Sequence, residues 1–432
     1  MQQQSEMNIL YPRCAGLDVH KDTVVACVRC VSAPVHHETR TFGTTTSELC
    51  QLRDWLSSHG CTDVAMEATG VYWLPVWHML ESNFGLVLAN AQHIKNVPGR
   101  KSDVSDAAWI AKVMAFGLIR GSFVPPRHIA ELRNLTRKRK QTVREVGQHA
   151  NRIQKELEDA NVKVGSVLSD VLGKSGRAML KAIIAGETDP EVLAELALGL
   201  ARKKHDALVE ALRGQVTEHH RFALDFHLGI IEHLERSLSN LEQRVKILIE
   251  PIKEDTERLK TIPGVSDVVA EVIISEIGTD MSRFPTSSHL VSWAGLCPRS
   301  DESAGKRRST RLRKSGTWLK TTMVTAAWAA VRTKNSYLRS LFLRLKARRG
   351  PKKAIIAVAA SILKSVYHMI RHGENYVDLG SSYFDSLNTR KTVDRLIRRL
   401  KEFGVEVLAR PGTSSTPSEL PLVAAPLPPE QG

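Results

Sequence analysis

Cys14-Ala15-Gly16-Leu17-Asp18-Val19, then after the polar break His20-Lys21-Asp22 the run Thr23-Val24-Val25-Ala26-Cys27-Val28-Arg29-Cys30, decide how the first quarter of the chain folds. Small and β-branched residues on either side of a turn-forming break predict two strands, with Val24–Val28 suited to the middle of a sheet. A third strand is expected at His36–Phe42, after which the pattern changes. A helix follows from Ser47, a capping residue, to Ser58. A strand at Thr62–Met66, a helix after Gly70, a strand at Gly85–Ala89 and a helix at Ser102–Phe116 complete the region. Three strands and then helix–strand–helix–strand is an α/β plan with a mixed sheet.

Beyond Pro125-Pro126 the chain turns helical. Val143, Val146, Ala150, Ile153 and Leu157 step by three and four, as do Ile231, Leu234, Leu238, Leu241, Val245 and Leu248, until Pro251. Such a seam is what paired coiled-coil helices bury, either within one chain or between two copies. A third region opens near Leu259 with Ile262-Pro263-Gly264-Val265 and reads as helical to about Gly373. From 411 onward the chain is rich in Pro and Ser with few charges, and is expected to be a disordered tail. The expected divisions are a leader at 1–13, an α/β domain at 14–125, a helical region at 126–258, a mostly α domain at 259–373 and an extension at 374–432.

The chain has 432 residues, room for two or three domains. Its 42% apolar and 25% charged residues exclude wholesale disorder. The nearly apolar run Ala354–Leu363 is shorter than the ~18 residues of a membrane span, and no signal-peptide layout opens the chain. Six irregularly spaced cysteines make no disulfide framework. A cytoplasmic protein with no membrane partner is expected. The formal charge is +15, and Gly295–Lys353 alone holds 17 Lys and Arg against Asp301 and Glu302, so the rest of the chain sums to zero. A block of this kind is the footprint of a polyanion-binding surface, because each neutralised phosphate releases counterions. Its densest part is Lys306-Arg307-Arg308-Ser309-Thr310-Arg311-Leu312-Arg313-Lys314. A solvated basic face is the bland alternative; no amphipathic anchor is expected beside it.

Four acids stand where chemistry is plausible. Asp18 ends the first strand and Glu67 ends a later one. Asp103 and Asp106 are three apart near a helix start, which puts both on one face. Acids at strand ends are often mere turn residues, and Asp103 could cap its helix. Gathered together, four carboxylates repel unless hard cations neutralise them, and oxygen-only ligands suit Mg²⁺ or Mn²⁺. Two such ions can clamp the attacking and leaving oxygens of a phosphoryl transfer. No nucleotide-binding P-loop appears, so no nucleotide cofactor is expected. Cys27 and Cys30 with His36 and His37 lack the spacing of a zinc site. His36-His37 and His219-His220 read as surface histidines. Trp318, Trp328 and Tyr337 could stack on bases, or pack in a helical core.

The strings around the acids resemble a known family. Gly16-Leu17-Asp18-Val19-His20-Lys21, Met66-Glu67-Ala68-Thr69-Gly70 and Lys101-Ser102-Asp103-Val104-Ser105-Asp106-Ala107 resemble those of the DEDD-type (Piv-like) insertion-sequence transposases, described as bridge-RNA-guided DNA recombinases. Ile262-Pro263-Gly264-Val265, Ala294-Gly295-Leu296-Cys297-Pro298, Ser303-Ala304-Gly305-Lys306 and Lys314-Ser315-Gly316 are similar to the family's C-terminal domain. The resemblance spans about 14–373, with the motifs in order.

It implies a RuvC-like (RNase H-like) fold for the first domain and a divalent-metal site of Asp18, Glu67, Asp103 and Asp106. It implies that Ser303 attacks a DNA phosphate and forms a transient phosphoserine. Ser300 and Ser309 are near enough to be rivals, and Ala304-Gly305 stands where the family commonly has Gly-Gly. Arg307, Arg308 and Arg311 suit the phosphate oxygens, with Lys306, Arg313 and Lys314 beside them. Pro263 and Gly264 resemble a helix–hairpin–helix turn whose N–H groups would hold a backbone phosphate. DNA, a guide RNA and a second copy of the chain, as a dimer or tetramer, are the implied partners. A hydrolytic RuvC-like nuclease and a non-catalytic nucleic-acid-binding relative are the alternatives.

Overall fold

The computed structural model describes residues 9–31, 35–68, 70–89, 94, 105–298, 301–303, 306–309, 311–312, 316–387 and 389–405. The chain forms two compact units, 1–124 and 125–432.

The first unit contains β1 (Arg13–Val19), β2 (Thr23–Cys30), β3 (His36–Gly43), α1 (Thr46–Ser58), β4 (Asp63–Glu67), α2 (Trp73–Leu80), β5 (Gly85–Ala89) and α3 (Asp106–Ala115). The sheet order is β3-β2-β1-β4-β5. β1, β2 and β3 pair antiparallel, whereas β1, β4 and β5 run parallel. β1 is central and buried along nearly its whole length because helices cover both of its faces.

Those faces differ in bulk. On one, Leu17, Val19, Val24, Val28, Val64 and Met66 pack against Leu52, Trp55 and Leu56 of α1 and Val76 and Leu80 of α2. Each fully buried side chain of this size contributes ~1.5–3 kcal/mol. The other face presents Cys14, Gly16, Cys27 and Ala65, which are small, and α3 lies down on it. A Cβ at Gly16 would stand 2.3 Å from both the Ala107 carbonyl oxygen and the Ala111 nitrogen. The helix backbone therefore rests directly on β1. Helix α3 begins at Asp106, later than Ser102, because the Ser105 hydroxyl accepts from the Ala108 N–H at 3.3 Å and caps it there.

The second unit opens with α4 (Arg127–Asp159), 33 residues and about 50 Å long. It continues through α5 (Val164–Val167), α6 (Lys174–Ile184), α7 (Pro190–Glu195) and α8 (His205–Leu212) to the 32-residue α9 (Glu218–Ile249). α4 and α9 pack against each other along the same chain. Their far end is closed by a core that joins Ile153, Leu157, Leu224, Leu228 and Ile231 to Met179, Leu180, Ile183, Leu193 and Leu208 of the inserted helices. Leu132, Val245 and Ile249 close the near end. Between these two cores the seam is thinner than its apolar spacing predicts. Leu234, Leu238 and Leu241 are only half-buried, and Val143 is exposed. His220 is buried, not a surface residue: it completes a capping box with Thr217, and its Nε2 meets Asp159 Oδ2 at 3.0 Å.

Then follow α10 (Lys253–Lys260), α11 (Asp267–Ile277), α12 (Ser287–Trp293), β6 (Asp301–Ser303), β7 (Lys306–Ser309), α13 (Thr317–Ala330), α14 (Tyr337–Arg349), α15 (Pro351–His372), α16 (Tyr383–Ser386) and α17 (Thr389–Glu402). The β6–β7 hairpin corrects the expectation of helix throughout 259–373. Its residues carry no helical apolar period, and the register pairs Glu302 with Arg307 and Ser303 with Lys306. A second correction concerns α15, which is long and apolar enough in composition to cross a membrane although the run inside it looked too short. Ala354, Ile355, Val358, Ile362, Leu363 and Val366 are all buried, and α12, α13 and α14 pack around the helix, as befits a core element. α17 leaves Val393, Leu396 and Leu400 exposed beside a row of Arg and Lys, an amphipathic helix where none was expected. The tail from 411 lies outside the described residues.

Candidate catalytic site and nucleic-acid interface

Side chains alternate along a strand, so Asp18 shares the face of Cys14 and Gly16, and Glu67 shares that of Ala65. The parallel register sets Gly16 beside Ala65 and Leu17 beside Met66. Asp18 and Glu67 therefore follow immediately, on neighbouring strands, at the same edge of the sheet and on the face that α3 covers.

The direction of α3 turns its first turn toward this edge. Cys14 Sγ meets the Ala111 carbonyl at 3.5 Å, whereas Gly16, one step along the same face, reaches back to Ala107. The helix thus runs against β1 and starts toward the Asp18 end, with Asp106 in its first turn. A helix N-terminus carries partial positive charge, which favours carboxylates beside it. The Asp18 side chain is 18% exposed, and His20 Nε2 lies 3.2 Å from its Oδ2. Asp103 lies outside the described residues. Among the described residues no group of three or more His, Cys, Asp or Glu side chains is gathered closely enough to hold a metal ion. The donor set itself, carboxylate oxygens without thiolate, fits a hard divalent cation.

Ser303 ends β6 and is paired in register with Lys306 at the start of β7. Arg307 and Arg308 continue β7, and Arg311, exposed, follows it. Ser309 is engaged locally, since its Oγ accepts the Arg311 N–H at 3.2 Å. Ser300, Arg313 and Lys314 lie outside the described residues.

Pro263 and Gly264 form the turn between α10 and α11. Gly264 has φ +83°, and a Cβ there would lie 2.4 Å from the Ala326 oxygen and 2.5 Å from the Ala330 nitrogen of α13. The glycine is thus required both for a left-handed turn and for close approach of two helices. Tyr337 is buried and stacked on Phe384 at 5.2 Å, while Trp328 is 43% exposed with its edge on Phe342. Cys27 and Cys30 point to opposite faces of β2, the first toward α3 and the second toward α1.

A basic face at helical spacing on α4 is passed over when only apolar positions are followed. Arg133, Arg137 and Lys140 recur at i, i+4 and i+7. Arg133 donates to the Ser275 and Glu276 carbonyls at 3.0 and 2.7 Å, where α11 ends. Arg137 forms two bonds, 2.7 and 2.8 Å, to the buried Glu276 carboxylate. Burial pushes Arg133 down to about 10, with Glu276 opposing the shift, so it stays charged at neutral pH. Arg139 binds Glu271 at 2.5 Å.

Comparison with known proteins matches both parts of the chain. Residues 15–162 match a family model of DEDD type described as "Transposase", and residues 256–343 match one described as "Transposase IS116/IS110/IS902 family". A Sinorhizobium fredii (strain NBRC 101917 / NGR234) protein named "Putative transposase y4pF/y4sB" is 26% identical over 324 residues, covering 73% of this chain and 74% of that protein.

Proposed function

The chain belongs to the IS110-type DEDD transposases, and from that premise we propose that it cuts and rejoins DNA through a phosphoserine intermediate. The observation that carries the reading is the placement of Asp18 and Glu67 side by side at one sheet edge, on the face where α3 begins with Asp106. The strand order, with β1 central between an antiparallel and a parallel neighbour, supports a RuvC-like fold for the first unit. Asp18, Glu67, Asp103 and Asp106 would hold Mg²⁺ or Mn²⁺, as two ions, since four carboxylates carry charge enough for both. Bound there, the cations supply charge neutralisation at a phosphate and lower the cost of ionising a hydroxyl.

The chain's own residues carry the covalent steps. Ser303 Oγ attacks a DNA phosphorus; the Oγ–P bond forms, the P–O bond to one DNA strand breaks, and the serine proton ends on the departing DNA hydroxyl. A hydroxyl of another strand then attacks the phosphoserine, the Oγ–P bond breaks, and serine recovers a proton. The linkage conserves the bond energy, so no nucleotide is consumed. Arg307, Arg308 and Arg311, with Lys306, Arg313 and Lys314, balance charge on the phosphate oxygens. The turn at Pro263 and Gly264 approaches the DNA backbone without reading bases.

Site choice is assigned to a guide RNA, whose pairing would leave the protein to grip backbones with the +15 charge carried by 295–353. Recombination joins two duplexes, so a dimer or tetramer is required. The exposed Val143 and the half-buried middle of the α4–α9 pair support a coiled-coil contact with a second copy. The setting is the cytoplasm, on nucleoid DNA.

The test is adduct trapping on denaturing gels with strand exchange measured in parallel. Asp18→Asn and Ser303→Ala are each expected to abolish exchange, and only wild-type serine should leave protein on DNA. Exchange by Ser303→Ala would overturn the nucleophile. Cleavage without any adduct would favour a hydrolytic nuclease, and metal-independent binding without cleavage a non-catalytic relative. Sequencing the nucleic acid that co-purifies tests the guide.

A further inference from the structure

The two ends of the segment that carries Ser303 lie side by side. Ala294 closes α12, and Gly316, with φ +64°, precedes α13. A Cβ at Gly316 would lie 2.6 Å from the Ala294 oxygen, and Pro298 pairs with Leu312 in a β-bridge. The root of this limb is therefore Ala294, Gly316 and the first turn of α13.

Helix α4 holds that turn. Lys140 Nζ donates to Thr321 Oγ1 at 2.5 Å and to the Trp318 carbonyl and Thr322 Oγ1 at 3.4 Å each. Those are three acceptors for the three N–H groups of an ammonium. Both threonine hydroxyls also donate to the Trp318 carbonyl, at 3.0 and 3.1 Å, so the turn is tied to itself as well as to α4. The Trp318 ring is covered by the Arg137 guanidinium at 5.5 Å and by Lys140 Nζ at 5.7 Å. Arg137 is in turn fixed by Glu276 of α11.

Stability alone does not account for this choice of residue. A cation at the start of a helix opposes the macrodipole. Burial, and Arg144 beside it, also push the Lys140 pKa down. A neutral donor would meet the same acceptors without these costs.

We propose that Lys140, backed by Arg137 on Trp318, is a positioning residue that fixes the first turn of α13 and so sets the direction in which the Ser303 limb leaves the body. The inference rests on the serine reading above. It adds residues of α4 to the parts that reaction requires, and places their action at the root of the limb, distant in sequence from the nucleophile.

The experiment uses the full-length protein and three substitutions. Lys140→Met keeps an apolar stem against Trp318 and removes the donors; Lys140→Arg restores donors. Arg139→Met is the control, because Arg139 binds Glu271 of α11 and, among the described residues, forms no hydrogen bond with α13. Single-turnover adduct formation at saturating DNA, DNA affinity, thermal midpoint and amide exchange over 306–322 are measured. Lys140→Met is expected to slow adduct formation at least ~tenfold with affinity within about twofold of wild type, since a misplacement near 1 Å is costly to an attack and not to backbone binding. Exchange should quicken at 318–322 with the midpoint unchanged, and Lys140→Arg should recover most of the rate. Arg139→Met should lower the midpoint and leave the rate of folded protein as it was.

A wild-type adduct rate in Lys140→Met, or an equal loss in Arg139→Met, overturns the proposal. If Lys140→Met does not fold, Lys140→Gln is read by the same criteria. Quickened exchange in a protein whose wild type forms no adduct refutes the serine reading and still supports the hold of α4 on the root. Unchanged exchange refutes that hold whatever the adduct does.

Discussion

Replacing Gly16 by alanine tests the seat on which the acidic edge depends. The backbone there needs no left-handed conformation, so the whole effect is steric. The added carbon would lie 2.3 Å from two backbone atoms of α3 and 2.9 Å from a third, against an ordinary contact of 3.4 Å or more. Relief requires α3 to lift by about 1.1 Å, since neither obstacle is a side chain that can turn away. Lifting it opens the layer in which Trp109, Ile110, Val113 and Met114 are buried. Overpacking of this kind costs ~3 kcal/mol. A loss of that size lowers the thermal midpoint of a unit this small by ~10 °C or more. Function should fall further than stability, because Asp106 rides on the lifted helix while Asp18 and Glu67 stay on the sheet. Amide exchange read on β1 and α3 peptides gives the local stability, and adduct formation below the first unfolding transition gives the function. Wild-type protection of α3 in Gly16→Ala would refute the close seating of this helix, and with it the argument that brings Asp106 toward the other two acids.

Glu276→Gln leaves the half-buried guanidinium groups of Arg133 and Arg137 facing an uncharged amide, and should destabilise the second unit by ~1–3 kcal/mol in urea titration. Gly264→Ala meets both a positive φ and α13 backbone at 2.4 Å, so a loss of ~2–4 kcal/mol is expected in the same assay. Chelation by EDTA should abolish adduct formation and strand exchange and leave DNA retention on a filter intact; exchange persisting in EDTA would remove the cation from the reading. The rings of His149 and His227 meet across α4 and α9 with Nδ1 atoms 3.2 Å apart. Burial first, then Arg152 for His149 and His149 and Arg152 for His227, hold both pKa values below the ordinary one, with Glu145 and Glu156 opposing. The unfolded chain then binds more protons, so the contribution is full above pH ~6.5 and fades as pH falls toward the depressed values. Amide exchange around 149 and 227 should quicken on going from neutral to mildly acidic solution, and His227→Gln should flatten that dependence.

Local pattern carried much of the fold. β-branched runs placed all five strands of the first sheet within a few residues, and apolar spacing picked out the middle of both long helices though not where they begin. Two elements went the other way for physical reasons. The β6–β7 segment has too short a run for alternation to stand out against a strongly charged background, so its hairpin is visible only through its pairing. α15 reads as a short apolar run because Lys352, Lys353 and Lys364 punctuate it, yet its buried positions extend from Ala354 to Met369. The thin middle of the α4–α9 seam was equally hidden, since apolar spacing states which residues share a face and not how closely the next helix lies.

The candidate site divides along the same line. That Asp18 and Glu67 end strands is local information; that they are neighbours depends on β1 choosing β4, a pairing across more than forty residues of chain. The clue to the missing geometry was bulk, not charge. Leucine, valine and methionine load one side of the sheet, whereas cysteine, glycine and alanine line the other. A helix can approach strand backbone only where side chains are small, and in this sheet the acids continue the small-residue side. Bulky residues at Gly16 and Ala65 would hold α3 outward and separate its first turn from the strand ends. The orientation of α3 is thus a consequence of close packing: the same absence of side chains that seats its backbone on β1 also turns its first turn, with Asp106, toward the ends of the strands that carry Asp18 and Glu67.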